Sequence, residues 1–200
     1  MPTVLILYPV EFASQSKFNR KIEKILSRIK NFSVVFPHDN KSLIQEFFLS
    51  RSDATLIQAA DWSSFSITHA IVFDDGEVFR KEVELLKDGG IPIREIQIRI
   101  TRVVNIKKET HFASQRSTLS YEYIGRGSYW GNPYSMFTGG ESRDEVIRKF
   151  KYDFEFDKFP NKKKTEVYKL AGKRLGCFCK PDACHGDVLA EFLNSWDDGQ

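Results

Sequence analysis

The chain has 200 residues, of which 41% are hydrophobic and 14% aromatic, and it carries a formal net charge of +3. This length is sufficient for one large domain or two small ones, and 17 phenylalanines exclude an intrinsically disordered chain. The net charge is too small to indicate a nucleic-acid partner by itself.

The sequence also bears on where the protein resides. No apolar stretch is long enough to span a membrane, and the N-terminus has no signal-peptide pattern. Three cysteines are an odd number and do not form the disulfide framework of a secreted protein. We therefore expect a cytoplasmic protein without a membrane partner, and the oligomeric state does not follow from the sequence.

The first hundred residues alternate between segments typical of strands and segments typical of helices. Apolar, partly β-branched runs predict strands at residues 3–8, 32–36, 67–73 and 91–98. Apolar residues at helical spacing predict helices that include residues 18–29, 42–49 and 79–87, while residues 54–60 fit either type. This alternation predicts an α/β fold: a Rossmann-like parallel sheet with helices on both faces.

Ligands of such sheets bind beyond the carboxyl ends of the strands. Residues 8–11, 37–39 and 74–77 follow these ends, and Asp75 is a candidate ligand-binding residue among them. The same aspartate can instead cap the next helix and shape the turn. No GxGxxG or Walker loop is present, so dinucleotide and P-loop binding have no support.

Residues 60–93, which contain an Asp-Asp-Gly turn, resemble the Rossmann-like group that includes the SLOG proteins and the nucleoside 2-deoxyribosyltransferases. The resemblance implies a nucleotide-handling domain at residues 1–104. In the transferases a glutamate on the helix after this turn is the nucleophile, and Glu82 lies at a comparable distance before Pro92. The glycine-rich phosphate loop of SLOG proteins is missing after the first strand. Judged by its charged neighbours alone, Glu82 also fits an ordinary surface position on a helix.

Residues 101–118 are polar and predict a connector, with a domain boundary near residue 105. The remainder of the chain is predicted to form a smaller α/β domain at residues 105–200. A strand is predicted at its start, at residues 119–124.

A loop with recognition chemistry follows that strand and carries the motifs YIGR and WGNP. In it, Arg126 supplies a planar cation for a phosphate or carboxylate, and Trp130 or Tyr134 supplies a face that can stack on a ring. We expect Asn132 to orient a base edge or a water molecule. The alternative is an Ω-loop in which Trp130 fills the core.

A helix is predicted at residues 143–156, because Ser142 and Glu145 stand at the spacing of a capping box. Lysines and arginines then concentrate between residues 162 and 180. Such a basic face would favour a phosphate-bearing ligand, although a lysine run alone more often marks a solvated helix face.

All three cysteines lie within eight positions, at the junction of a predicted strand and a predicted helix. The candidate residues of this segment are Cys177, Cys179, Cys184, His185 and Asp187. Cys184 and His185 stand at or just before the helix N-terminus, which favours a thiolate or a bound anion. We expect His185 or Asp187 to act in acid–base catalysis and Cys184 to act as a nucleophile.

Three interpretations of the cysteines stay open. Cys177, Cys179, Cys184 and His185 are the ligand types of a structural zinc site, although their spacing is not a usual finger pattern and adjacent Cys184 and His185 do not easily both face inward. A thiol activated by His185 and by the helix end is the second interpretation. Buried cysteines that serve as small apolar side chains are the third.

The YIGR run, the WGNP run and the segment 175–187 together resemble the domain-of-unknown-function family 4326, a small α/β family of bacteria and their viruses. The resemblance covers residues 119–196 and implies a site more than an activity. It implies a proline after Arg126, where this chain has Gly127, a change expected to loosen the loop without removing its chemistry.

The leading functional hypothesis is an intracellular enzyme that acts on a nucleotide, a nucleobase or a base in nucleic acid, with N-glycosidic bond cleavage or transfer as the preferred reaction. It requires the recognition loop and the cysteine segment to meet in space, because each alone is a poor site. The first alternative is a zinc-stabilised module that binds nucleic acid without catalysis. The second is a sensor or sponge for a nucleotide signal.

Overall fold

The computed structural model describes residues 1–112, 114–136 and 140–200. The chain divides into two compact units, one formed by Met1–Ile98 with Ser195–Gln200 and the other by Arg99–Asn194. None of the helices in the described part of the chain is long and apolar enough to cross a bilayer.

The first unit is a parallel sheet of five strands with the order β3-β2-β1-β4-β5. Its strands are β1 (Thr3–Leu7), β2 (Phe32–Phe36), β3 (Ala54–Gln58), β4 (His69–Asp74) and β5 (Ile93–Gln97). Its helices are α1 (Gln15–Leu26), α2 (Leu43–Phe48) and α3 (Arg80–Asp88), with a 3-10 turn at Trp62–Ser64. The predicted α/β fold is confirmed, and residues 54–58 form a strand.

Helices α1 and α3 cover opposite faces of this sheet. Val72 of β4 belongs to the apolar cluster that contains Val83 of α3. The next residue, Phe73, stacks on Phe18 of α1 with ring centroids 5.2 Å apart. Because successive strand side chains point to opposite faces, the two helices must lie on different sides.

The second unit is built on a parallel sheet of three strands with the order β6-β8-β7. Its strands and helices are β6 (Arg102–Asn105), β7 (Tyr121–Tyr123), α4 (Arg143–Glu155), β8 (Arg174–Cys177) and α5 (His185–Ser195). Two 3-10 segments, Thr110–Phe112 and Lys164–Leu170, complete the described elements.

The prediction of a connector at residues 101–118 is wrong at its start, where β6 forms. Val103 and Val104 lie between polar neighbours, so the run is too short to indicate a strand by itself. Its backbone pairs with β8, about seventy residues later, with Val104 opposite Gly176. Pairing across such a separation is decided by tertiary structure and not by local sequence.

Helix α4 begins at the predicted capping box. Ser142 accepts a hydrogen bond from the backbone N–H of Glu145, whose carboxylate accepts one from the backbone N–H of Ser142. Val146, Phe150 and Phe154 recur every fourth residue and are buried. They face the core of the second unit, which also contains Leu175 of β8 and Leu189 of α5.

Candidate functional site

The recognition loop and the cysteine segment leave the same edge of the three-stranded sheet. Strands β7 and β8 run parallel, with Tyr123 opposite Gly176, and the N–H of Ile124 donates to the carbonyl of Gly176 at 2.9 Å. Strand β7 ends at Tyr123, and β8 ends at Cys177, one residue after Gly176. The loop at residues 125–134 and the segment after Cys177 therefore start side by side.

Three cysteines and a histidine converge at this edge, and we call Cys177, Cys179, Cys184 and His185 the thiol–imidazole cluster. The sulfur atoms of Cys177 and Cys179 lie 3.5 Å apart, and Cys184 Sγ lies 3.7 Å from His185 Nδ1. The ligand atoms of Cys177, Cys184 and His185 all lie within 4.8 Å of one another. All three cysteines are free thiols.

Adjacent Cys184 and His185 both face inward, so the expectation that they do not easily do so is wrong. Cys184 is 1% exposed and His185 is 5% exposed. Helix α5 begins at His185, and Cys184 stands just outside it. Because Cys184 precedes the helix, its backbone does not have to follow helical geometry, and both side chains can point to the same side.

One hydrogen bond defines which nitrogen of the His185 ring carries the proton. A carbonyl oxygen only accepts hydrogen bonds, so Nε2 must be protonated to donate to the carbonyl of Ile124 at 2.9 Å. The ring also packs edge-on against Phe150, with centroids 4.9 Å apart. Burial lowers the pKa of His185, which favours the neutral imidazole with Nδ1 unprotonated.

The thiols differ in acidity in a way that the sequence does not predict. A hydrogen bond from Cys184 lowers the pKa of Cys177 to about 5. The same bond raises the pKa of the buried Cys184 thiol. Cys177, not Cys184, is therefore the more acidic thiol of the pair. The nucleophilic role of Cys184 stays a prediction, and the raised pKa of its thiol does not favour it.

A cavity of about 380 Å³ opens beside the cluster. Its lining is formed by Gly125, Arg126, Asn132, Tyr134, Met136, Arg143, Val146, Ile147, Cys177, Phe178, Cys179, Ala183, Cys184 and His185. The structure thus brings together most of the predicted site residues of the second unit. Among the described residues, the lining contains two arginines and no carboxylate.

Arg143 is a member of the lining that sequence reasoning missed. It is the first residue of α4, and its guanidinium donates to the carbonyl of Ala183 at 3.2 Å and pairs with Asp182 at 3.1 Å. The predicted Arg126 donates to the hydroxyl of Ser135 at 3.1 Å. The signal in the sequence that could have indicated this position is the capping Ser142, which places Arg143 in the first turn of a helix, next to the preceding loop.

Asn132 lines the cavity but also holds the loop in place. Its Nδ2 donates to the carbonyl of Val146 in α4 at 3.1 Å, and its Oδ1 accepts from the N–H of Tyr134 at 2.9 Å. These bonds tie the loop to the helix. The catalytic role of Asn132 stays a prediction, and the geometry assigns it a positioning role.

Tyr134 presents its ring to the cavity and anchors its hydroxyl elsewhere. The hydroxyl donates to Asp153 Oδ2 at 2.5 Å, and the ammonium of Lys149 lies 5.5 Å from the ring centroid. The hydrogen bond to Asp153 is the main reason that the pKa of Tyr134 rises to about 12. The ring is thereby held at the wall, where a planar ligand could contact it.

Asp153→Asn is expected to lower the pKa of Tyr134 from about 12 toward the ordinary tyrosine range, because the substitution removes the charged acceptor. NMR titration of ring-labelled tyrosines measures this value, and Tyr134→Phe identifies the signal. Glu191→Gln removes an exposed charge from α5 and serves as the control. An unchanged pKa in Asp153→Asn would contradict the hydrogen bond.

Trp130, which was predicted to be a ligand-binding residue, lies in the core instead. Its side chain is 4% exposed, belongs to the apolar core of the second unit, and does not line the cavity. The expectation that Trp130 stacks on a ligand is wrong, and the alternative of a tryptophan that fills the core describes it. Its neighbour Tyr129 is the exposed aromatic residue of this loop.

Asp187 does not line the cavity. One carboxylate oxygen accepts from the N–H of Cys184 at 2.9 Å, and the other pairs with Lys180 at 2.6 Å. Asp187 thus caps the start of α5. The geometry supports this capping role, and the acid–base role of Asp187 stays a prediction.

Asp75 and Glu82 belong to the first unit and are not part of this cavity's lining. Asp75 accepts hydrogen bonds from the N–H groups of Glu77 and Val78 and shapes the turn before α3. Glu82 lies in the first turn of α3 and is half-buried. Their ligand-binding roles stay predictions.

The lysine run is largely engaged within the second unit. Lys162 donates to the carbonyl of Gly131 at 3.2 Å, and Lys164 donates to that of Glu155 at 3.0 Å. Lys173 pairs with Glu122 at 3.0 Å. These contacts favour the interpretation of a structural, partly solvated face over a dedicated phosphate-binding surface.

Comparisons with known proteins divide the chain into two matched regions. The family model described as the minimal SLOG domain matches residues 1–104. The family model of a domain of unknown function, DUF4326, matches residues 104–195. Both resemblances that the sequence motifs indicated are confirmed.

The chain is also similar to a curated phage protein. This relative of Enterobacteria phage T4, described as an uncharacterized 12.4 kDa protein in the nrdA-td intergenic region, is 38% identical over 97 residues. The aligned region covers 48% of this chain and 80% of the phage protein. No solved structure matches the chain.

Proposed function

We propose that the chain, which belongs to the minimal SLOG family over residues 1–104 and matches the DUF4326 family model over residues 104–195, is a nucleotide-binding enzyme. The minimal SLOG family is compatible with a nucleotide-related function. In this proposal the cavity of the second unit holds the nucleotide, and the thiol–imidazole cluster stands beside the reacting part of it.

The observation that carries the proposal is the composition of the cavity lining. Arg126 and Arg143 place two permanently charged guanidinium groups at the wall, and the carboxylate that pairs with Arg143, that of Asp182, is not part of the lining. Met136, Val146 and Ile147 make much of the remaining wall apolar. A ligand that has one anionic group and one flat, weakly polar group fits such a wall, and a nucleoside monophosphate is of this kind.

The size of the cavity agrees with this ligand class. Sites for small molecules are typically about 300–1,000 Å³, and this cavity has about 380 Å³. Tyr134 and Phe178 contribute aromatic side chains to the lining, which favour a base that stacks. The volume suits one nucleotide better than a length of nucleic acid.

The catalytic part of the proposal rests on the cluster. Cys177, Cys179, Cys184 and His185 all line the cavity, so a bound nucleotide would contact thiol or imidazole groups directly. N-glycosidic bond cleavage or transfer stays the preferred reaction. The carboxylate that such chemistry commonly uses is not among the described residues of the lining.

The proposal predicts that Arg126→Gln weakens binding of nucleoside monophosphates by about tenfold to a hundredfold, because a charge-assisted hydrogen bond contributes roughly 1.5–3 kcal/mol. Binding of the matching nucleosides should change little. Isothermal titration with both ligand series measures the difference. Chromatography of the ligands after incubation tests for turnover.

Arg148→Gln is the matched control, since it makes the same charge change at an exposed position of α4 that does not line the cavity. It should bind nucleotides as the unsubstituted protein does. Equal losses in both variants would show that net charge, not the cavity, is responsible. Tight nucleotide binding without turnover would favour the sensor or sponge over the enzyme.

A further inference from the structure

We infer that Cys177, Cys184 and His185 form the core of a zinc site and that Cys179 closes its fourth position from the side of the cavity. Among the described residues, Cys177, Cys184 and His185 form a group whose potential metal-ligating atoms all lie within 4.8 Å of one another. Thiolate and imidazole ligands in this combination select zinc among the common divalent ions. This inference does not depend on nucleotide binding.

The distances within the cluster fit one tetrahedral ion. For zinc–sulfur bonds of about 2.3 Å and zinc–nitrogen bonds of about 2.0 Å, the edges of the tetrahedron are about 3.8 Å between sulfurs and about 3.5 Å between sulfur and nitrogen. The sulfurs of Cys177 and Cys179 are 3.5 Å apart, and Cys184 Sγ is 3.7 Å from His185 Nδ1. Both values lie within a few tenths of an ångström of these edges.

His185 is oriented as metal-binding histidines are. Such residues usually donate the N–H that does not bind the metal to a carboxylate or a backbone carbonyl. His185 Nε2 donates to the carbonyl of Ile124, and Nδ1 faces the sulfur of Cys184. The edge-on contact with Phe150 holds the ring in this orientation.

The cysteines of the core are held by regular structure. Cys177 is the last residue of β8, and its carbonyl accepts from the N–H of Ile106 at 3.1 Å. The N–H of Cys184 donates to Asp187, and the N–H of Gly186 donates to Cys184 Sγ at 3.4 Å. A backbone N–H directed at sulfur stabilises a thiolate ligand, so Asp187 supports the site without binding the ion.

Cys179 differs from the other three residues. It is half-exposed, lies in the turn after β8, and is not part of the group whose ligand atoms all lie within 4.8 Å. It nevertheless lines the cavity and lies next to Cys177. Its thiolate can therefore complete the tetrahedron, at the position that a ligand entering the cavity would reach first.

The zinc content of the purified full-length chain tests the inference. After expression with zinc and dialysis against a weak chelator, we expect about one zinc per chain by mass spectrometry. His185→Gln and Cys184→Ser should lose the ion under the same dialysis, and Cys179→Ser, which keeps the three core ligands, should hold it more weakly than the unsubstituted chain. His111→Gln, an exposed histidine of the same unit, is the matched control and should retain it.

Two results would overturn the inference: unsubstituted protein without zinc after this treatment, or zinc retained by His185→Gln and Cys184→Ser as fully as by His111→Gln. Zinc bound by Cys179→Ser as tightly as by the unsubstituted chain would overturn the assignment of Cys179 to the fourth position. Because core variants can fail to fold, alkylation of the unsubstituted protein provides a second measurement. Cys177 and Cys184 should resist iodoacetamide with zinc and react once a strong chelator is added. Reaction of both at the same rate with and without the chelator would also overturn it.

Discussion

Phe150→Ala is expected to lower the free energy of unfolding by about 3–5 kcal/mol, the range for removal of a large aromatic side chain from a packed core. Phe150 is fully buried at the centre of the second unit. Its ring contacts Phe159 at a centroid distance of 5.0 Å and His185 at 4.9 Å. The substitution therefore leaves a cavity directly behind the thiol–imidazole cluster, and the second unit should unfold at much lower urea concentration.

Phe156→Ala is the matched control for this prediction. Phe156 ends the same helix, but 59% of its surface is exposed, and its main aromatic neighbour is the equally exposed Tyr152. Its removal should cost less than about 0.5 kcal/mol, as exposed substitutions usually do. Urea unfolding followed by circular dichroism compares the two variants. Similar losses in both would contradict the assignment of Phe150 to the core.

Gly131→Ala is expected to destabilise the second unit by about 1–3 kcal/mol or more, in the range for overpacking, and to abolish ligand binding in the cavity. A Cβ atom at Gly131 would lie 2.6 Å from the carbonyl oxygen of Gly125 and 3.1 Å from that of Ser128. Both neighbours are backbone atoms, so the clash can be relieved only by opening the loop. Opening moves Arg126 and Asn132 away from the cavity.

Gly127→Ala is the control for Gly131→Ala, because it introduces backbone strain in the same loop without a steric clash. Gly127 has a φ of +81° and nothing within 4 Å of an added Cβ, so its substitution should cost only about 1–2 kcal/mol and preserve the loop. The same φ excludes proline, which is locked near −65°. If Gly131→Ala bound nucleotides as well as Gly127→Ala, the tight closure of the loop would not be needed for the site.

Local signals account for the elements that the sequence predicted well. The alternation of apolar strands and amphipathic helices predicts the five-stranded sheet, because period and turn residues act over a few positions. Ser142 and Glu145 predict the start of α4 for the same reason. The loop at residues 125–134 and the helix that begins at His185 are likewise marked by glycines and by helical spacing.

The site residues were harder to predict where one residue type can serve either in a binding site or in the core and the local sequence does not distinguish the two. Trp130 has both an aromatic face for a ligand and a large apolar surface, and only the packed core shows that it serves the latter. Asp187 can likewise act as an acid or as a cap, and only the structure shows that it accepts a hydrogen bond from the N–H of Cys184. Arg143 was missed because nothing in its neighbours reveals that the helix start faces the cavity.

Periodicity and motifs were enough to predict the α/β class, the resemblance to two families and the residue types available for chemistry. Which of these side chains meet follows only from the tertiary structure. Parallel pairing of β7 with β8 places the loop after Tyr123 beside Cys177, although some fifty residues separate them. Such pairing joins segments that are far apart in the chain and depends on the burial of whole sheet faces, so the sequence of a short segment does not predict it.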